Sequence, residues 1–126
     1  MILKGVFMAT VKREQTRRKA VGCPVEATLE VIGGRWKVLV LHHLLVGSKR
    51  FGELSRALKG ISARTLTKQL RELEADGIIT RTVHQQIPPK VEYALTARGR
   101  KLESVLLAMH VWGEDFERTL RRRKSL

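Results

Sequence analysis

The chain has 126 residues, 43% of them apolar, and carries 25 Lys and Arg against 12 Asp and Glu, a net charge of +13. That size and composition predict one packed domain with tails, not a disordered chain, and so large a positive surplus favours a polyanionic partner. A single cysteine, no apolar run of about 20 residues and no signal peptide over residues 1–11 exclude a secreted disulfide scaffold and a membrane protein, place the chain in the cytoplasm, and leave no room for a large enzyme.

The charge gathers toward the ends, with net +5 over residues 1–24 and +4 over residues 97–126. Residues 1–20 read as a basic arm holding Lys12, Arg13, Arg17, Arg18 and Lys19. No tail sets an apolar face opposite its basic one, so an anionic membrane surface fits poorly. Pro24 opens a short helix with Val25, Leu29 and Ile32 on one side, and Gly33-Gly34 ends it. From Arg35 to Val46 the helix is apolar nearly all round, which predicts the central buried element.

Phe51, Leu54 and Leu58 mark a second short helix, and Lys59-Gly60-Ile61 a tight turn. Ser62 then caps a helix that runs to about Asp76, with Leu66, Leu70 and Leu73 in one stripe and Gly77 as its stop. Two helices joined by a short glycine-containing turn make a helix-turn-helix. The period then falls to two over residues 78–84 and 91–96, with Val91, Tyr93 and Leu95 on one face and a proline-stiffened tip between the runs. The expected fold is mostly helical with a small β-hairpin, a winged helix over residues 21–113. A last amphipathic helix starts near Ala97 and continues to the basic C-terminal tail, spanning residues 97–126. Its stripe of Leu102, Val105, Leu106, Met109, Trp112, Phe116 and Leu120 is backed by Leu107 and Val111, more than one small domain can cover. Either one stripe faces a partner subunit, or the helix folds back over its own core.

With the three leucines turned inward at about 100° per residue, Arg64, Lys68 and Arg71 project outward, flanked by Thr65 and Thr67. Hydrogen-bonding side chains on a helix narrow enough for the major groove suit duplex DNA. Arg64, Thr65, Lys68 and Arg71 are the candidates for base readout, with Arg64 best placed for a guanine edge. Lys49, Arg50, Ser62, Thr67, Arg81 and Lys90 are the candidates for backbone contacts. Lys68 and Arg71 suit either role. Glu72, Glu74 and Asp76 oppose the helix dipole at the other end, either to keep that end off the phosphates or as a solvated face.

Taken together, Cys23-Pro24, Gly34-Arg35-Trp36-Lys37, Arg50-Phe51 with Glu53-Leu54, Ile61-Ser62 with Arg64-Thr65-Leu66, Asp76-Gly77, Pro88-Pro89 with Val91-Glu92-Tyr93, and Leu95-Thr96 with Gly99 resemble the HxlR-type branch of the MarR-like winged-helix regulators. The resemblance covers residues 23–113. It implies a bacterial homodimeric transcriptional regulator that binds roughly palindromic operators through paired helices and wings, with half-sites about 34 Å, or a multiple of that, apart. It also implies that the terminal helices form the dimer, through Leu102, Val105, Leu106, Met109, Trp112 and Phe116.

Some members of that family sense oxidants or electrophiles through a cysteine placed as Cys23 is. A helix N-terminus and nearby cations favour its reactive thiolate. With no second cysteine, sensing needs the partner's Cys23 or a small thiol; the plainer reading is a packed cysteine with no switching role. The expected effector is an oxidant or a small molecule. His42 and His43 point to different helix faces, and no Cys/His pair has ligand spacing, so no metal or cofactor is expected. Trp36 and Trp112 read as core or dimer anchors. An RNA-binding or ribosome-associated winged-helix module is the alternative that the charge would also serve, but its stacking aromatics are scarce here, at 5%. With no nucleophile–base pair and no phosphate loop, no enzymatic activity is expected.

Overall fold

The computed structural model describes residues 22–125. The basic arm expected over residues 1–20 lies outside them. The elements run α1 (Pro24–Ile32), α2 (Trp36–Leu44), β1 (Lys49–Arg50), α3 (Phe51–Ala57), α4 (Ala63–Ala75), β2 (Ile79–His84), β3 (Lys90–Leu95), α5 (Ala97–Arg100) and α6 (Glu103–Ser125). The fold is mostly helical with one small antiparallel sheet, a winged helix.

The sheet has three strands, not the two expected from the hairpin alone, in the order β1-β3-β2. Lys49 pairs with Tyr93 and Arg50 with Glu92, so the chain entering the helix-turn-helix is pinned to the hairpin. β2 and β3 pair from Ile79 opposite Leu95 out to His84 opposite Lys90. Of β2 only Ile79 is buried; Thr80 to His84 stand in solvent on both faces. On β3, Tyr93 is buried while Val91 and Leu95 pack at the core's margin, as the alternation predicts.

The core gathers Val40, Leu41 and Leu44 of α2, Leu54 of α3, Leu66, Leu70 and Leu73 of α4, and Ile79 of β2. α2 is central, but its apolar run is not covered all round: Leu39 is at the surface and Val46 lies beyond the helix, largely in solvent. In α1 only Ile32 is buried, with Val31 packed at the core's margin, while Val25 and Leu29 are exposed by 63% and 58%, so the expected three-residue face is mostly uncovered.

The final helix is broken. Lys101 and Leu102 bond back three residues, to the carbonyls of Arg98 and Gly99, and this tightened turn separates α5 from α6. Of α6 only Leu106 is buried. Val105, Met109, Trp112, Phe116 and Leu120 are all exposed, and the Trp112 and Phe116 rings stack 5.2 Å apart.

Candidate nucleic-acid interface

α4 is held at both ends by features that fix where its outer face begins and stops. Gly60 takes φ +91° in the turn before it, a conformation closed to most side chains. At Ser62 the side chain accepts from the Thr65 N–H at 3.1 Å and so caps the first turn. At the other end Gly77, with φ +73°, completes a Schellman motif: its N–H bonds to Glu74 O, and Ile78 N–H bonds to Leu73 O. Buried Ile78 supplies the apolar contact that accompanies this stop.

Between these ends Leu66, Leu70 and Leu73 are buried, and Arg64, Lys68 and Arg71 are exposed. The three cations share one shallow open surface with Ala63, Thr65 and Thr67, and Glu72 borders it. Among the described residues none of the three forms an ion pair. Their charge is therefore unspent, and one partner that meets all three must itself carry several negative charges.

The hydroxyls are less free. Ser62 Oγ donates to Thr65 Oγ1 at 2.9 Å, and Thr67 Oγ1 donates to the carbonyl of Ala63 at 2.8 Å. In this arrangement neither Ser62 nor Thr67 has a proton to offer a phosphate, whereas Thr65 keeps its own. The first-turn N–H of Ala63 and Arg64 stay available at the helix N-terminus.

The wing divides its charges unequally. Arg81 is exposed and, like Lys49, sits opposite Tyr93, while Arg50 lies opposite Glu92 on the other face. Lys90, expected as a backbone contact, is instead held by Glu92: its Nζ lies 2.6 Å from the carboxylate. Ser48 Oγ donates to the same carboxylate at 2.8 Å, and His84 Nε2 lies 3.2 Å from it. The hydrogen bonds from Lys90 and then Ser48 pull the Glu92 carboxyl down to about 2. Arg50's backbone N–H is also taken, by Glu53 Oε1 at 3.0 Å in the first turn of α3.

Two of the three acids at the end of α4 are paired or buried instead of solvated. Glu72 Oε2 meets Lys37 Nζ of α2 at 2.6 Å, and Asp76 is buried. Sequence reading missed this pairing, though one signal existed: a lone lysine inside an otherwise apolar helix needs a buried partner.

Cys23 is exposed at the N-cap of α1, and its side chain caps no backbone N–H there. Of the residues expected at a dimer interface, Leu106 is buried in this subunit's own core and Leu102 is partly buried at its margin. Val105, Met109, Trp112 and Phe116 remain uncovered. A small cavity of about 190 Å³ lies between α2 and α6, lined by Val38, Leu39, His42, Leu106, Met109 and His110. His42 and His110 stack across it 5.5 Å apart. Burial, with the charges of His42 and Lys49, lowers the pKa of neighbouring His43.

The chain's relatives share its family and fold. The HxlR-like helix-turn-helix family model matches residues 31–120. Over 96 residues, 76% of this chain and 75% of the relative, the sequence is 56% identical to YdeP, an uncharacterized HTH-type transcriptional regulator of Bacillus subtilis. Among solved structures it is similar to the redox regulator HypR in its reduced form, with TM-score 0.75 and 53% identity over 79% of this chain and 99% of that one. The oxidized form of HypR gives TM-score 0.72 and 57% identity, covering 74% and 96% of the two chains.

Proposed function

The chain belongs to the HxlR-like helix-turn-helix family and is a transcriptional regulator of that type, and from that premise we propose that it binds palindromic operator DNA as a homodimer and represses transcription by occupying it. The observation that carries this reading is α4: three cations without an ion pair among the described residues face outward from a helix whose other side is locked into the core. Arg64, Lys68 and Arg71, with the Thr65 hydroxyl, meet base edges, while Lys49, Arg50 and Arg81 meet phosphates. That face carries no aromatic side chain on which single-stranded bases would stack, which favours duplex DNA over RNA. Residues 21–113 are the DNA-binding unit, and α6 with its basic end is the dimerising one.

The dimer is supported by the uncovered side chains of α1 and α6, chiefly Val25, Leu29, Trp112 and Phe116. Among the described residues no helix is long and apolar enough to cross a membrane. Selection of bound sequences from random duplexes is the test. Two inverted half-sites about 34 Å apart, or a multiple of that, support the reading; no enriched sequence, or tighter binding to single-stranded RNA, overturns it.

The effector we infer is an oxidant acting at Cys23, because the thiol is exposed and the chain is similar to the redox regulator HypR. Two Cys23 thiols, one from each subunit, give two electrons and two protons to a peroxide and join as a disulfide, or a small thiol replaces the second. Mild peroxide then changes operator affinity in the parent and leaves Cys23→Ser unaffected. An equal response in both sinks the sensor role.

A further inference from the structure

Among the described residues Lys37 is the only buried cation, and it reaches from the second position of α2 to Glu72 on α4. Glu72 directly follows Arg71 and lies one turn beyond Lys68, so the bridge meets α4 at the edge of its outer face. The lysine side chain is 8% exposed and the glutamate 26%, which sets the carboxylate at the boundary between core and cationic surface. Taking such a pair out of water brings little net stability, and an apolar pair of equal volume holds two helices together as well. A short ion pair supplies direction instead. The stripe of Leu66, Leu70 and Leu73 decides which side of α4 faces the core, but apolar burial is non-directional and only weakly opposes a small roll about the axis.

We propose that Lys37 and Glu72 are positioning residues that fix the rotation of α4 about its own axis, and with it the aim of Arg64, Lys68 and Arg71. This rests on the DNA-reading role given to α4 above. The sensitivity is geometric. A 20° roll (about one-fifth of the turn per residue) moves a side-chain tip at the helix surface by about 2 Å. A bidentate contact to a base edge spans only about half an ångström of useful donor–acceptor distance. Phosphate contacts made by long flexible cations follow the roll; base contacts do not.

The test is the double variant Lys37→Met/Glu72→Met. It removes one charge of each sign, so the net charge is unchanged, and the acid it removes borders the cationic surface, so general attraction to DNA is not weakened. Its probes are a duplex selected from a random library by the parent and a duplex of scrambled sequence. The expected result is a melting temperature within about 4 °C of the parent and an affinity for the scrambled duplex no weaker than the parent's. Affinity for the selected duplex falls at least about 10-fold, the loss of one base contact. Glu72→Asp serves if the double variant does not fold. It keeps the charge and the pair while drawing the helices together, and is expected to lower the selected-to-scrambled ratio in the same direction. A ratio within about twofold of the parent in a folded variant overturns the positioning role, since an ion pair that only packs the helices leaves discrimination alone. A parent that shows no preference among duplexes overturns the DNA-reading role itself, and the positioning role with it.

Discussion

α4 and α6 carry the same kind of sequence, an apolar stripe at helical spacing with charges around it, yet the subunit treats them in opposite ways. On α4 all three stripe leucines are buried and the cations face solvent. On α6 one leucine is buried, and Trp112, the largest side chain of the stripe, is 68% exposed. A stripe is therefore a statement of what must be covered, not of what covers it. α4 finds its cover within the chain and is left with a finished polar surface. α6 finds cover only where Leu106 meets α2, and the rest of its stripe has the character of half an interface.

The contrast breaks most readily at Leu106. Leu106→Ala is expected to cost about 2–5 kcal/mol of subunit stability, read from the denaturant midpoint. If it instead leaves stability intact and separates dimers, the inner end of α6 faces a partner after all. Next in size, Trp112→Glu with Phe116→Glu removes two aromatic anchors and is expected to cost about 2–4 kcal/mol of association. Sedimentation then shows monomers with undiminished helix content; an unchanged dimer places the interface elsewhere.

Smaller still is the effect of ending the chain after Arg118, which removes the exposed cations Arg121, Arg122, Arg123 and Lys124. Each that meets a phosphate should lower the slope of log affinity against log salt by about 1. No change in slope returns the run to solubility alone.

The smallest effect lies at the wing. The Glu92 carboxyl is depressed from 4.5 to about 2 by the Lys90 and Ser48 hydrogen bonds. A depressed acid stabilises the fold fully above its ordinary value, and that contribution is lost as pH falls through the lower one. The Glu92 carboxyl resonance is thus expected to titrate near 2, and near 4.5 in Lys90→Ala with Ser48→Ala. Titration near 4.5 in the parent would free Lys90 for DNA.

What the sequence made legible follows the same division. The bounds of α4 were readable because Gly60, Ser62 and Gly77 are residue types with one physical use each in those places. β1 was not, since two residues show no alternation and become a strand only through their pairing with β3. The break between α5 and α6 was hidden because bonds to carbonyls three residues back need no special side chain. Arg64, Lys68 and Arg71 were found from leucine spacing alone, whereas the engagement of Lys90 with Glu92 and of Thr67 with Ala63 depends on local geometry that spacing does not encode. Lys37 and Glu72 are 35 positions apart and meet only once α2 and α4 are packed.

The central claim is that the outward face of α4 reads bases. The direct measurement is the affinity of parent and Arg64→Ala for every single-base variant of a selected duplex. The account predicts a loss of about 1–3 kcal/mol in discrimination confined to one position in each half-site, with all other positions read as before. A uniform loss across all variants would contradict it and reduce Arg64 to a phosphate contact.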